Sequence, residues 1–381
     1  MTRFSSGKEQ VEIQAVGKDG EISLSACYLV ACDGANSPTR KALGICWRDL
    51  GYDQDWLVVD VEMITSHGLP NEVMQVCDPD RLHTFVATKD PFRRWEFQLH
   101  AGETAEQMLD HDTVHALLDP WTPRDTYRLR RTAVYQFHAA VADKWQQRRI
   151  FLAGDSAHQT PPFLGQGMNS GMRDVINLAW KLPLVNSGCC AMELLETYQA
   201  ERHDHVHDLV SWAVEMGHLM QHMADVEAAE RLAIEPPQME RTSLKSGYGQ
   251  GREQPPIRSG IVVIEQVSNE GATGYLLPQP VVRDGQGREM LFDELLGAKF
   301  ALVCNGPHTF DEDTTSVLRA LEIQMVDVSK LEIVRGKFPA CLKQGEALLI
   351  RPDRIVFGHT NADVSADTLL TRLADSLKFL G

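Results

Sequence analysis

Residues Arg149 to Asp174, RIFLAGDSAHQTPPFLGQGMNSGMRD, constrain this chain more than any other stretch. Ile150 to Ala153 is a short apolar run that reads as a fully buried strand, and Gly154-Asp155 ends it where the carboxyl end of a strand opens onto a ligand crevice. At that tip Asp155 is placed to accept hydrogen bonds from sugar-type hydroxyls. Pro161 and Pro162 stiffen the loop that follows, while Gly165 and Gly167 let its backbone approach a ligand with no Cβ in the way. Met168, Met172, Val175, Ile176, Ala179 and Leu182 then have helical spacing, and Pro183 marks the predicted helix end. The first N–H groups of such a helix have no intrahelical acceptor, so they favour partial negative charge on whatever lies in front of them. A lone Gly-Asp is an ordinary turn; strand, double proline, paired glycines and helix start in one run point to a site.

A related pattern stands upstream in YLVACDGANSPTRKALG. Tyr28 to Cys32 reads as a second buried strand, Asp33-Gly34 as a turn, Ser37 as an N-cap with Pro38 at the first helical position, and Gly44 as the close of a short helix. Asp33 and Arg40 are the charges this geometry leaves near the strand's carboxyl end.

Together, DGANSPTR (Asp33 to Arg40) and GDSAHQTPPFLGQGMNSGMRD (Gly154 to Asp174) resemble the DG and GD motifs of class A flavoprotein aromatic hydroxylases. FRRWEFQLHAGET, NLAWKL, LLETYQAERHDH and RPDRIVFG extend the resemblance over nearly the whole chain, nearest to the 3-(3-hydroxyphenyl)propionate hydroxylases. It implies a single-component monooxygenase of aromatic catabolism that uses FAD, NADH or NADPH as reductant, dioxygen and a small phenolic substrate. Asp155 would then hold the ribityl chain beside Gly154. Pro162, Gly165, Gln166, Gly167, Met168 and Asn169 would line the isoalloxazine, and Asp33 with Arg40 would serve the pyrophosphate and pyridine-nucleotide side. A tailoring hydroxylase of polycyclic, polyketide-type phenols shares this architecture and is the second reading. A non-catalytic remnant or subunit is the third.

The family also has a strand, GxGxxG and helix that grip the ADP half of FAD. Nothing in this sequence matches it, and Gly17-Lys18-Asp19-Gly20 reads as a hairpin turn between the alternating runs Val11 to Val16 and Glu21 to Ala26. The expectation is therefore an incomplete Rossmann-like FAD-binding domain, its ADP grip supplied by a truncated gene segment or by a separate chain.

The expected fold is α/β, or α+β overall: that FAD domain, an inserted β-sheet substrate domain and a thioredoxin-like C-terminal domain. Residues 1–45 would end the first FAD segment, 46–140 form the substrate sheet with a helix from Thr104 to Leu118, and 141–234 return to the flavin and continue into helices. Residues 235–259 read as a polar linker and 260–381 as the thioredoxin-like domain. A formal net charge of -16 argues against nucleic acid as a partner. No run of eighteen apolar residues or signal-peptide pattern is present, so the expectation is a cytoplasmic protein away from membranes, with a homodimer compatible. Eight cysteines without a CxxC pair read as reduced and structural, Cys304 included.

His203 with His207 and His218 with His222 have a chelating i, i+4 spacing, yet no third ligand stands out and no metal is expected. His158 is expected to brace its loop. For the substrate, Tyr135 and His138 are the candidates to hydrogen-bond a phenol and favour its ionisation, and Arg93 and Arg94 to attract a carboxylate.

Overall fold

Two apolar tripeptides far apart in sequence, Leu29–Ala31 and Ile150–Leu152, lie side by side as parallel strands in the computed structural model, which describes residues 3–232, 254–268 and 271–380. Leu29 pairs with Ile150, Val30 with Phe151 and Ala31 with Leu152, and Gln146–Gln147 adds a short antiparallel edge. Ile150, Phe151 and Leu152 are all buried, as expected of a strand covered on both faces. Everything between the two strands is an insertion that brings the chain back to its starting point. Before them, Arg3–Ser6, Val11–Gly17 and Gly20–Ala26 form an antiparallel sheet, with Lys18-Asp19 at the predicted hairpin turn.

The insertion is an antiparallel sheet ordered His158–Gln159, Tyr127–Ala142, Trp47–Met63, Phe92–Gln98, His83–Ala87, Met74–Val76. Period-two alternation gives it two different faces. Leu57, Val59, Val61, Phe85, Trp95 and Phe97 point to one side, where Val114, Leu118 and Trp121 cover them. Trp56 and Phe137 point to the other side, towards Phe163 of the GD loop. The remaining strand, His158–Gln159, belongs to the GD loop itself, so the inserted sheet and that loop are one hydrogen-bonded structure.

Two helix boundaries differ from expectation. The helix predicted from Thr104 to Leu118 is two, Ala105–Met108 and His111–Leu118, because the Asp110 carboxylate accepts from the N–H groups of Asp112 and Thr113 and starts a new helix. The helix after the GD motif runs Gly167–Asn186, past Pro183. That proline lies in the last turn, where Leu182 and Val185 still pack on the core and the Pro183 carbonyl accepts from Ser187 N at 2.9 Å. A long helix, Thr197–Arg231, follows. Most of the linker expected over 235–259 lies outside the described residues.

The C-terminal region is built on four strands ordered Gln324–Asp327, Ala301–Cys304, Ala347–Ile350, Val356–His359, the first pair parallel and the others antiparallel. Leu302, Leu349 and Phe357 face helix Ala366–Leu377, while Ala301, Val303, Leu348 and Ile350 face helix Phe292–Leu296. Trp180 and Leu194 of the preceding helical region share the first of these cores. All eight cysteines are free, and burial pushes the Cys304 thiol up to about 11, out of range for thiolate chemistry. No helix among the described residues is long and apolar enough to cross a membrane.

Trp95 anchors the inserted sheet, fully buried with its ring 5.1 Å from Phe85 and 5.8 Å from Trp121. Trp95→Ala is expected to cost about 3–5 kcal/mol in denaturant unfolding. A loss below about 1 kcal/mol would contradict this account of the sheet's core.

Candidate active site

The GD turn is fastened at several points. Ala153 N donates to Ala31 O at 3.0 Å, and Ser156 Oγ donates to Ala31 O at 2.6 Å, tying both strand tips together. Gly154 takes a left-handed φ of 63°, which glycine adopts without strain. A Cβ on Gly171 of the GD helix would lie 3.1 Å from the Gly154 Cα, so glycine at both places lets turn and helix touch.

Beneath this contact is a fully buried carboxylate, Asp174. Its Oδ2 accepts from Gly154 N at 3.0 Å and lies 2.7 Å from His158 Nε2, while Oδ1 accepts from Arg202 Nε at 2.8 Å. Burial raises its pKa, but His158, Arg202 and the Gly154 amide outweigh that and hold it below the usual carboxylate value. His158, stacked 5.3 Å from Trp145, thus braces the loop from within. Asp155, next to Gly154, points outward, exposed and with no hydrogen bond or ion pair among the described residues.

The loop then makes one turn at Pro162–Leu164 and enters the GD helix through Gly165, φ 61°. Gln166 is the N-cap and its side chain caps nothing. Ser170 N is the first amide to bond back, to Gln166 O at 2.8 Å, which leaves the amides of Gly167, Met168 and Asn169 open. Beside Gly165 and Gly167 a Cβ would meet only open space.

At the DG motif, Asp33 accepts from Ser37 Oγ and, at 3.0 Å, from Thr39 N. Partial burial raises its pKa, and these bonds more than reverse the effect. Arg40, expected on the pyrophosphate and pyridine-nucleotide side, is buried: its guanidinium stacks 3.8 Å over Trp47 and donates to Ser156 O at 3.2 Å, buttressing the GD turn.

Opposite the loop the sheet presents an aromatic wall. Phe163 packs 5.5 Å from Trp56 and 5.6 Å from Tyr52, and Trp56 stacks 5.8 Å from Phe137. Burial pushes the Tyr52 phenol up to about 12. Gly217 of the long helix admits these rings, since a Cβ there would be 2.7 Å from Tyr52 and 3.0 Å from Phe163. Thr84 Oγ1 donates to Gln75 Oε1 at 2.6 Å and Gln75 Nε2 donates to Phe163 O at 3.4 Å, linking sheet to loop.

Of the expected substrate groups, Tyr135 is opposite Trp56 and shares its face, half-exposed. His138 has the other parity and is bonded to Asp53. Arg93 is a structural residue, buried against Asp90 at 2.7 Å, and Arg94 is engaged by Asp60 at 2.7 Å. Among the described residues no group of three or more potential ligands could hold a metal ion.

The GD turn, loop and helix start are therefore brought together as the motif suggested. Asp174, Arg202, Ser156, Gln75, Tyr52 and the Trp56–Phe137 wall escaped sequence reading. Only Asp174, ending the glycine-spaced run, carried a local signal. The site suits the ribityl and pyrimidine half of a flavin: a free carboxylate, open amides and glycines that leave room for a ligand. The described residues hold no glycine-rich loop for an ADP pyrophosphate.

Known proteins agree with this geometry. The FAD binding domain family matches residues 2–213, and the HcaD C-terminal domain family matches 274–376. The 3-(3-hydroxy-phenyl)propionate/3-hydroxycinnamic acid hydroxylase of Klebsiella pneumoniae (strain 342) is 31% identical over 384 residues, covering 93% of this chain and 68% of its own. A probable NADH-specific resorcinol 4-hydroxylase of Rhodococcus jostii (strain RHA1) is 32% identical over 366 residues, 92% of this chain and 66% of its own. Among solved structures, aklavinone-11 hydroxylase with FAD and aklavinone shares the fold at TM-score 0.72 and 24% identity, covering 97% of this chain and 71% of that one. The chain belongs to the class A FAD-dependent aromatic hydroxylases.

Asp174→Asn removes the charge that pairs Arg202 and His158, at an expected cost of about 3–5 kcal/mol near neutral pH. Because the folded carboxyl has the lower pKa, its contribution is full above the unfolded value of about 3.9 and is lost as the pH falls through the folded value. Unfolding curves should show the wild type converging on the variant in acid; a gap independent of pH would refute the role given to Asp174.

Proposed function

We propose that this chain is the catalytic body of an FAD-dependent, NAD(P)H-consuming hydroxylase of a phenolic ring. The observation that carries this is the unpartnered Asp155 carboxylate, held beside the open amides of Gly167, Met168 and Asn169 by the Gly154–Gly171 contact and Asp174. When bound, FAD supplies hydride acceptance and oxygen activation, which no side chain offers. Asp155 accepts from ribityl hydroxyls, and the helix amides meet the electron-rich pyrimidine edge. The largely buried wall of Trp56, Phe137 and Phe163 backs the substrate side and keeps water out, with the half-exposed Tyr135 on the same face for the phenol oxygen. Asp33 and Arg40 fix the DG side, Arg40 through the GD turn.

For the substrate, a fused-ring phenol of the polyketide type is favoured over a phenylpropionate. Arg93 and Arg94, the cations expected for a carboxylate, are committed to Asp90 and Asp60, while the aromatic wall suits a broad flat ligand. The relatives named for phenylpropionate support the same chemistry on a smaller ring.

The ADP half of FAD is assigned to a glycine-rich βαβ unit outside the described residues. The free edge of Leu29–Ala31 is its place. We read residues 260–381 as a thioredoxin-like unit: its strand order and directions support this, and its two cysteines, Cys304 and Cys341, are free with thiols that burial raises, which gives dithiol chemistry no support. Cytoplasmic location and the domain limits at 45, 140, 234 and 259 belong to the same reading.

The test is direct. Purified protein mixed with FAD should turn yellow and oxidise NAD(P)H faster with a hydroxyanthraquinone than with 3-(3-hydroxyphenyl)propionate. Asp155→Ala should weaken FAD binding by about 10-fold or more, with Tm unchanged. Protein that stays colourless would mark a non-catalytic remnant or one that needs its ADP-binding partner, and a phenylpropionate preference would reverse the substrate assignment.

A further inference from the structure

Where the GD helix, the long helix and the C-terminal unit meet, there is a second cluster of buried charges that the site above does not use. The side chains of Lys181, Glu201 and Arg351 are 0% exposed and that of Asp353 is 6% exposed. Arg351 Nη2 donates to Glu201 Oε2 at 2.7 Å and to Asp353 Oδ2 at 2.5 Å, and Nη1 donates to Ile261 O at 2.9 Å. From the GD helix, Lys181 Nζ lies 3.0 Å from Glu201 Oε2, Asn177 Nδ2 donates to the same oxygen at 2.6 Å, and the Trp180 indole N–H donates to Asp353 Oδ2 at 3.2 Å. Two cations thus face two anions. Burial raises the Glu201 carboxyl, but Arg351 and Lys181 hold it down to about 2; burial lowers the Lys181 ammonium to about 8.

This cluster is continuous with the clamp under the GD turn. Glu201 is the neighbour of Arg202 on the long helix, and Asp174, Asn177 and Lys181 stand on successive turns of the GD helix. A path of buried hydrogen bonds and ion pairs therefore leads from Arg351 through Glu201 and Asn177 to the two helices, and through Arg202 and Asp174 to Gly154 N. Apolar packing holds one side of the GD helix, through Leu178, Trp180, Leu182 and Val185, while Met172, Val175 and Ile176 are exposed. A buried ion cluster adds little net stability, yet it tolerates no slippage: moving a partner strands a charge in the interior. It sets the helix's axial position more strictly than non-directional hydrophobic contacts do.

We propose that the Arg351-Pro352-Asp353 turn is a positioning device for the cofactor loop: it fixes the GD helix along its axis, and so the geometry of residues 154–169, from the C-terminal unit. The C-terminal unit is then a working part of the flavin site rather than an appendage. The inference rests on the FAD reading only for the identity of the ligand.

Hydrogen exchange on the full chain without FAD tests it. Asp353→Asn and Arg351→Met, the latch variants, are compared with Leu370→Ala, a substitution in the C-terminal core that removes none of the cluster's hydrogen bonds or ion pairs, under conditions of equal Tm deficit. Peptides covering residues 154–174 should exchange on the order of 10-fold faster in the latch variants and at the wild-type rate in Leu370→Ala. Asp353→Asn keeps the residue's shape, and decides the matter should Arg351→Met fail to fold. Wild-type exchange in that segment for Asp353→Asn, or equal acceleration by Leu370→Ala, overturns the proposal. FAD titration is the second arm: Asp353→Asn should raise Kd on the order of 10-fold while Leu370→Ala does not. Should the wild type bind no FAD, the claim that this chain holds the cofactor unaided falls, and the exchange comparison still decides the coupling.

Discussion

A carboxylate with no access to water, Asp174, holds this architecture together. Ions are rarely buried unless fully paired, and here one oxygen serves the GD turn and His158 while the other serves the long helix through Arg202. Remove that charge and three elements lose their common reference. The outward-facing Asp155 and the open helix amides have a defined spacing only because the backbone one residue earlier is pinned from below. The inserted sheet with its aromatic wall and the GD loop are likewise locked, since His158–Gln159 is a strand of that sheet.

Much of this was legible in residues 149–174 because the physics there is local. A buried strand, a left-handed glycine, stiff prolines and an uncapped helix start each follow from neighbours in sequence, and the structure has all of them. The hairpin at Lys18-Asp19 was legible for the same reason. Helix ends were less so: Asp110 restarts a helix by a side-chain bond that the surrounding periodicity hides, and Pro183 is overruled by tertiary packing. Partners distant in sequence left no trace. Arg40 reads as a cofactor-side charge until Ser156 and Trp47 are placed beside it, and Arg93 and Arg94 read as ligands until Asp90 and Asp60 claim them. The same holds for Tyr52, Trp56, Phe137 and Phe163, which come from separate elements and form a wall only after folding.

The division of labour that emerges is chemical. The cofactor brings the redox chemistry, so the chain spends its buried charges on geometry: Asp174 and Arg202 under the turn, Glu201 and Arg351 at the junction with the C-terminal unit. Around the GD loop the groups left open are the first backbone amides of the GD helix and the Asp155 carboxylate, while the rings of Trp56, Tyr52 and Phe163 are buried behind them.

The central claim is that the GD turn and the first amides of the GD helix together form one half of a flavin socket. Hydrogen exchange measured with and without saturating FAD tests it most directly. Slowed exchange confined to residues 154–155 and 167–169, with the strands of the C-terminal unit unchanged, is the result this account predicts; unaltered exchange at both segments, or protection only elsewhere, would contradict it.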